Sequence, residues 1–392
     1  MAWDKVIAQH HLKKQLQEMV SHNRLSHALL FLGKEGSGAL PLAIAFAQFV
    51  VSQPKQGALV EDLFGGASHL SASPDDIEAA KARAENLIHP DLHFSFPVIP
   101  AKSGDKPISA DYIAEFREFL QLHAYGNVYD WLQFINAENK QGNITAEECL
   151  DIIKKLSLKS FEAQTKVLLM WMPEYLGKNG NKLLKLIEEP PPNTLFILVA
   201  ENEEAILPTI LSRCQLVKIA PLDSNEIETA LIERAKIEPA KAKQIANIAE
   251  GNYREALQLM QHASEDWQDF AKEWLRCIVR KLHADNIKFI EEINKLGREK
   301  QKQFLRYFNH LLEQSIRVKA LGASGFAIAE NELDFAQRIN KIASVSQIEA
   351  MVEVLDNGAY YIERNANAKM LFMAMGIKLY YIIQNKVTIE VS

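Results

Sequence analysis

The chain has 392 residues, 48% of them hydrophobic, and a formal net charge of −6. That supplies ordinary cores for two or three domains, and the acidic balance excludes a molecule that draws nucleic acid over its whole surface. Cys149, Cys214 and Cys277 stand far apart with no CxxC pair, so neither a disulfide framework nor a cysteine zinc site is predicted.

In chain order, Leu12 to Val20 has helical spacing, HALLFLG is an apolar run ending at Gly33, and ALPLAIAFAQFVV follows as a mostly apolar helix. Residues 53–88 are rich in Ala, Ser, Gly and acids, with a helix predicted from about Ser73. DLHFSFPV, KVLLMWM, TLFILVA and QLVKI are further strand-like runs, and VIPAKSGDKPIS reads as a loop. Continuous apolar runs separated by helices predict a parallel sheet covered on both faces. In NITAEECLDIIKKLSL, Thr145 followed by Glu148 predicts a capping box, with apolar Leu150, Ile153 and Leu156 on one helix face. Beyond Pro221 only helices are expected. Leu371, Met375, Leu379 and Ile383 recur every four residues, as one packed face requires. The fold class is therefore α/β then all-α, divided into residues 1–221, 222–265 and 266–392. No apolar run reaches the roughly 20 residues of a membrane span. The N-terminal MAWDKVIAQHHLKKQL lacks a signal-peptide pattern, so a cytoplasmic protein is expected.

The segment FLGKEGSGAL raises the question of function. Gly33, Gly36 and Gly38 stand where a phosphate-binding P-loop has its glycines, but the Lys and Ser/Thr that should follow are Ala39 and Leu40. Lys34 sits at the wrong end of the turn to replace the missing lysine. Such a site also needs acidic residues after a later strand to hold Mg²⁺. KVLLMWM ends instead in Trp171 and Met172, with Glu174 beyond Pro173. Lysine, hydroxyl and both carboxylates are absent together. Hydrolysis of nucleotide by this chain is not expected, and ATP binding is expected to be weak at most. The glycines then serve a tight strand-to-helix turn. His69 and His89 read as surface or turn histidines, and no metal site is predicted. Lys154, Lys155 and Lys159 read either as a local basic strip or as a solvated helix face.

KLLKLIEEPPPNTLFILVAENEEAILPTILSRCQLVKI, from Lys182 to Ile219, resembles a segment of bacterial clamp-loader subunits, the AAA+ proteins of the DNA polymerase III holoenzyme. Leu-Leu-Lys at 183–185, Glu-Glu-Pro-Pro at 188–191 and Ser212-Arg213-Cys214 carry the resemblance most specifically. VIAQHHLKKQL, GNYREAL and ERNANAKMLFMAMGIKLYYII resemble other parts of the same family. The resemblance implies an AAA+ P-loop-type α/β domain, a small helical lid and a C-terminal helical collar that carries oligomer contacts. It further implies a role in DNA replication, and partners of gamma/tau and delta type in a hetero-oligomer that handles a sliding clamp and primer-template DNA. Within the family, the degenerate glycine loop and retained Ser-Arg-Cys match the delta-prime kind; the alternative is an ATP-hydrolysing gamma/tau-type motor. Arg213 would then be an arginine finger acting on a neighbour's ATP, with Ser212 and Cys214 as packing and turn residues. Arg254 stands where a lid arginine touches γ-phosphate in an active member; here a structural ion pair is expected instead. The polar residue expected after LFILV is replaced by Ala200 or Glu201. The four-cysteine zinc module of many members has no counterpart in residues 52–87, so no zinc is carried over. The spacing of Gly177 to Gly180 is one residue short, which puts the helix start before Asn181 in doubt.

Overall fold

The computed structural model describes residues 2–53, 59–61, 67–69, 74–100, 104–137, 140–261, 267–322, 330–363 and 366–385. It separates into two units, Met1–Gln258 and Leu259–Ser392.

The first unit is built on strands β1 (Ala28–Gly33), β2 (Leu59–Glu61), β3 (Ala67–His69), β4 (Leu92–Ser95), β5 (Lys166–Trp171), β6 (Thr194–Ala200) and β7 (Gln215–Ile219). Five form a parallel sheet in the order β4-β5-β6-β1-β7; β2 and β3 make a separate antiparallel pair. All the strand-like runs of the sequence are strands of the main sheet. The β2–β3 pair went unread, because three-residue strands in a polar excursion leave no periodic signal. Helices α1 (His10–Ser21), α2 (Ala39–Val51), α3 (Pro74–Glu85), α4 (Ile113–Leu122), α5 (Val128–Phe134), α6 (Ala146–Ser157), α7 (Leu184–Glu188) and α8 (Pro208–Leu211) alternate with the strands. Ser73, the expected start of α3, lies outside the described residues. After β7 come α9 (Ser224–Ala235), α10 (Pro239–Ala249) and α11 (Tyr253–Gln261).

Period-2 alternation sorts the sheet into two faces. Leu29, Phe31, Val167, Leu169, Trp171, Ile197 and Val199 face the core built around α2. Ala28, Leu30, Leu168, Met170, Phe196 and Leu198 face the core that includes α6. Helix α2 is apolar except for Gln48 and buried except at Phe49, as a helix without a polar face must be. Parallel pairing places the carboxyl ends of β1, β5 and β6 side by side: Leu32 pairs with Ala200, and Trp171 with Val199. The loop after Gly33 therefore opens beside Trp171 and Ala200, at the end of the sheet where α/β proteins bind ligands.

Helix α6 departs from its expected face. Cys149, Ile152 and Leu156 are buried, Ile153 packs at their margin, and Leu150 is 54% exposed. The cap is also different. Thr145 Oγ1 accepts from Glu148 N at 3.1 Å, as expected, but the buried Glu148 carboxylate accepts from Ser109 N at 2.6 Å. A partner 39 residues away in sequence displaces the local one. The chain after β5 is a 3₁₀ stretch, Pro173–Leu183, broken at Gly177 (φ 49°, ψ −135°).

The second unit is helical: α12 (Trp267–Val279), α13 (His283–Lys295), α14 (Arg298–Leu321), α15 (Glu330–Ile342), α16 (Val345–Glu363) and α17 (Ala368–Asn385). Trp274 lies at its centre, 5.7 Å from Phe289 and 5.4 Å from Phe372 between ring centroids. Met375, Leu379 and Ile383 are buried and Leu371 is partly buried, so the four-residue stripe is this unit's own interior. The opposite side of α17 exposes Met370, Met373, Ile377 and Tyr381. α/β followed by all-α is thus the observed fold class.

Candidate functional site

Gly33 ends β1, Gly36 (φ +72°) turns the loop, and Gly38 (φ +92°) precedes α2. Positive φ at the last two positions demands glycine. The space around them is occupied by the chain itself. A Cβ on Gly36 would fall 1.8 Å from Asn252 Oδ1, and one on Gly38 would meet the Tyr125 ring at 3.3 Å. Tyr253 N donates to Gly36 O at 3.2 Å. The Tyr125 hydroxyl accepts from Ile7 N at 2.7 Å, and its ring meets Tyr253 edge-on at 4.9 Å. Burial holds this phenol protonated, its pKa pushed up to about 12.

Ala39 and Leu40 are buried at the start of α2. Where a metal-binding carboxylate would end β5, the Trp171 indole packs against Phe116 and Phe119, with centroids at 5.7 and 6.0 Å. Met172 follows in the left-handed region, φ 59°. Glu174 is bound to the segment after β6: its Oε1 accepts from Glu201 N at 2.7 Å and Asn202 N at 2.9 Å. Desolvation raises its pKa against those two bonds. Ala200 is buried and Glu201 exposed. The cavity between the loop, Tyr125, Trp171 and Ala200 has a volume of about 30 Å³. That is room for a water or two, whereas ligand pockets run to several hundred Å³.

Arg254 is 3% exposed and fully engaged. Its Nε and a terminal nitrogen grip Asp130 at 2.5 and 2.7 Å, and the other terminal nitrogen reaches Glu35 Oε1 at 3.1 Å. Glu35, two residues after Gly33, also accepts from Asn252 Nδ2 at 3.0 Å and Asn127 Nδ2 at 2.7 Å. Neither Glu35 nor Asp130 was singled out from the sequence. Asn127 and Asp130 do form a reciprocal cap of α5, and that spacing was the one available signal.

Arg213 lies elsewhere in this unit, after α8. Its guanidinium pairs with Glu188, donates to Thr209 O at 2.6 Å and lies 3.2 Å from Ser212 Oγ. Its side chain is 33% exposed and that of Glu188 43%. Ser212 Oγ also donates to Thr209 O. Cys214 packs on the α6-side core, and burial raises its thiol to about 11, so it is no thiolate nucleophile. The structure therefore groups Gly33, Gly36, Gly38 and Arg254, and leaves Arg213 apart.

His89 is buried, with Nδ1 accepting from Asp91 N and Nε2 3.1 Å from Glu162; of the surface or turn placement expected it takes the turn, its carbonyl accepting from Leu92 N. The side chain of His69 lies outside the described residues. Lys155 pairs with Asp151 at 2.5 Å while Lys154 and Lys159 are exposed, which breaks the basic strip. Among the described residues no group of three His, Cys, Asp or Glu is placed to hold a metal. None of the described helices is long and apolar enough to cross a membrane.

A sequence profile described as "DNA polymerase III, delta subunit" matches residues 8–223. Among curated proteins, DNA polymerase III subunit delta' of Bacillus subtilis (strain 168) is 28% identical over 247 residues, 63% of this chain and 57% of that one. Subunit tau of the same organism is 24% identical over 67% of this chain and 37% of its own length. The match thus spans little more than half of the first relative and less of the second. A solved DNA polymerase III gamma subunit-related protein from Thermotoga maritima is 14% identical, covering 93% of this chain and 98% of its own, with a TM-score of 0.36. With more than half of its length matched by the family profile, the chain belongs to the DNA polymerase III delta subunit family.

Proposed function

We propose that this chain is the non-catalytic, delta-prime-type subunit of a DNA polymerase III clamp loader. In this reading it assembles with gamma/tau-type and delta subunits, helps place the sliding clamp on primer-template DNA, and acts in the cytoplasm at the replisome. The observation that carries the reading is the filled glycine-loop site: an indole at the metal position, a buried alanine and leucine at the lysine and hydroxyl positions, and a cavity of about 30 Å³. Such a site supports neither tight ATP binding nor turnover, and no zinc is required. A gamma/tau-type motor would need those groups. Relatives of both kinds are similar in sequence, so the argument rests on the site.

Arg213 is the remaining group suited to nucleotide chemistry. A forked, permanently charged guanidinium fits the charge developing on a γ-phosphate, and in this proposal it serves a neighbouring subunit's ATP. The helices from residue 266 onward would form the collar, and Met370, Met373, Ile377 and Tyr381 on α17 offer an apolar face for it. The test is reconstitution with gamma/tau-type and delta subunits. Expected are a stable complex, no ATPase from this chain alone, and DNA-stimulated ATPase from the whole. Turnover by the isolated chain at the rate of a motor subunit would overturn the reading.

A further inference from the structure

A glycine turn leading into a helix N-terminus gathers backbone N–H groups suited to an anion, and at this one an arginine converges as well. The anions that meet it belong to the chain. We infer that Glu35 and Asp130 are an internal substitute for a bound phosphate, latching helices α9–α11 onto the sheet with no ligand present.

Three separate segments meet at this point. The glycine loop contributes Glu35, the N-terminus of α5 contributes Asn127 and Asp130, and the start of α11 contributes Asn252 and Arg254. Arg254 grips Asp130 with two nitrogens and Glu35 with the third, while both amides donate to Glu35. The geometry is bidentate, the strongest form of such a pair. Arg254 is 3% exposed, and the side chains of Glu35 and Asp130 are 19% and 20% exposed. Removing one partner of a pair this buried is costly, because it strands the other charge. Beside it, Tyr253 N donates to Gly36 O, and Arg234 donates to the Asp4 and Lys5 carbonyls. The latch is an electrostatic tie between the loop, α5 and α11. It occupies the place where a mobile phosphate would make the same tie conditional on binding. The inference does not depend on the clamp-loader role and stands if that reading fails.

The experiment is hydrogen–deuterium exchange on the full chain, comparing amides of residues 224–258 with those of β1, β5 and β6. Wild type, Asp130→Asn and Glu35→Gln are each measured with and without millimolar Mg-ATP. In wild type, residues 224–258 are expected to be protected equally with and without ATP. Asp130→Asn is expected to speed their exchange about tenfold or more, as loss of a buried charge partner implies, and Glu35→Gln by less, with the strands unchanged in both. Wild-type exchange that slows on adding ATP would make phosphate the latch and overturn the inference. So would variants that exchange like wild type. Failure of Glu35→Gln to fold would also overturn it, by placing the carboxylate in the cohesion of the core rather than in a local latch.

Discussion

Two arginines in the first unit present opposite situations. Arg254 is buried and held by two carboxylates, Asp130 and Glu35; Arg213 is one-third exposed on its side chain and pairs with a carboxylate, Glu188, that is 43% exposed. The first is committed to its own chain, since exchanging those partners would strand charges away from water. The second can exchange Glu188 for another anion at little cost, because exposed pairs contribute at most about 1 kcal/mol. Burial, rather than the presence of an arginine in a motif, separates a structural guanidinium from one available to a partner.

The largest expected effect tests the available arginine. In a reconstituted loader, Arg213→Ala should assemble normally and slow hydrolysis at one neighbouring ATP site by about 10³–10⁵-fold. Total ATPase would then fall only in part if the other sites of the loader have arginines of their own. Arg213→Lys should resemble Arg213→Ala, since an ammonium lacks the planar fork. Full activity in both variants would make Arg213 a bystander and leave the chain a scaffold.

Next comes assembly. Ile377 and Met370 are 53% and 74% exposed, so Ile377→Asp or Met370→Asp should leave folding intact. If α17 docks on a sister subunit, a central apolar contact is worth about 2 kcal/mol or more, and native mass spectrometry should find the complex depleted by more than tenfold. Unchanged assembly would move the interface elsewhere.

A smaller effect probes the filled site. Tyr125→Phe removes the acceptor of the Ile7 N–H, and an orphaned buried donor costs about 1–3 kcal/mol. Urea unfolding should register that loss, and ATP should not restore it. Restoration by ATP would mean that nucleotide takes the place of the tyrosine hydroxyl.

The smallest is a pH effect at Glu174. Its folded pKa is raised above the ordinary 4.5 by desolvation. The neutral form therefore suits the fold, and this group's favourable contribution is present below pH 4.5 and lost as pH rises through the folded value. Replacing it with Gln removes that dependence. The melting temperature of Glu174→Gln relative to wild type should be higher at pH 7 than at pH 4; a difference that does not change with pH would count against the raised value.

The strands were legible because fully buried parallel strands must be continuously apolar, as in VLLMW and LFILV. The apolar face read for α6 included Leu150, which the structure exposes: a helix with apolar residues on adjacent positions allows two stripes and only packing chooses between them. The residue types at the glycine loop, Ala39 and Leu40 in place of Lys and Ser/Thr, were also legible. What fills the loop was not. Glu35 lies 217 residues from Asn252 and 219 from Arg254, and Tyr125 reaches Ile7 across 118. Local pattern carries no information on pairings of that range, and acidic or aromatic residues in loops are common enough to pass without notice.

The contact between Gly36 and Asn252 has a consequence for how such a chain can change over generations. Packing alone is enough to retain glycine at position 36, because any side chain there collides with Asn252 and the Tyr253 backbone. Its sequence signature can outlast its chemistry indefinitely. The way back is closed by the same packing. A lysine at position 39 enters buried space and finds Trp171, Tyr125 and Glu35 already in place. Each single reversion weakens the fold before it gains any affinity. Under the proposed reading, the packing around the loop acts as a ratchet against any return to nucleotide chemistry.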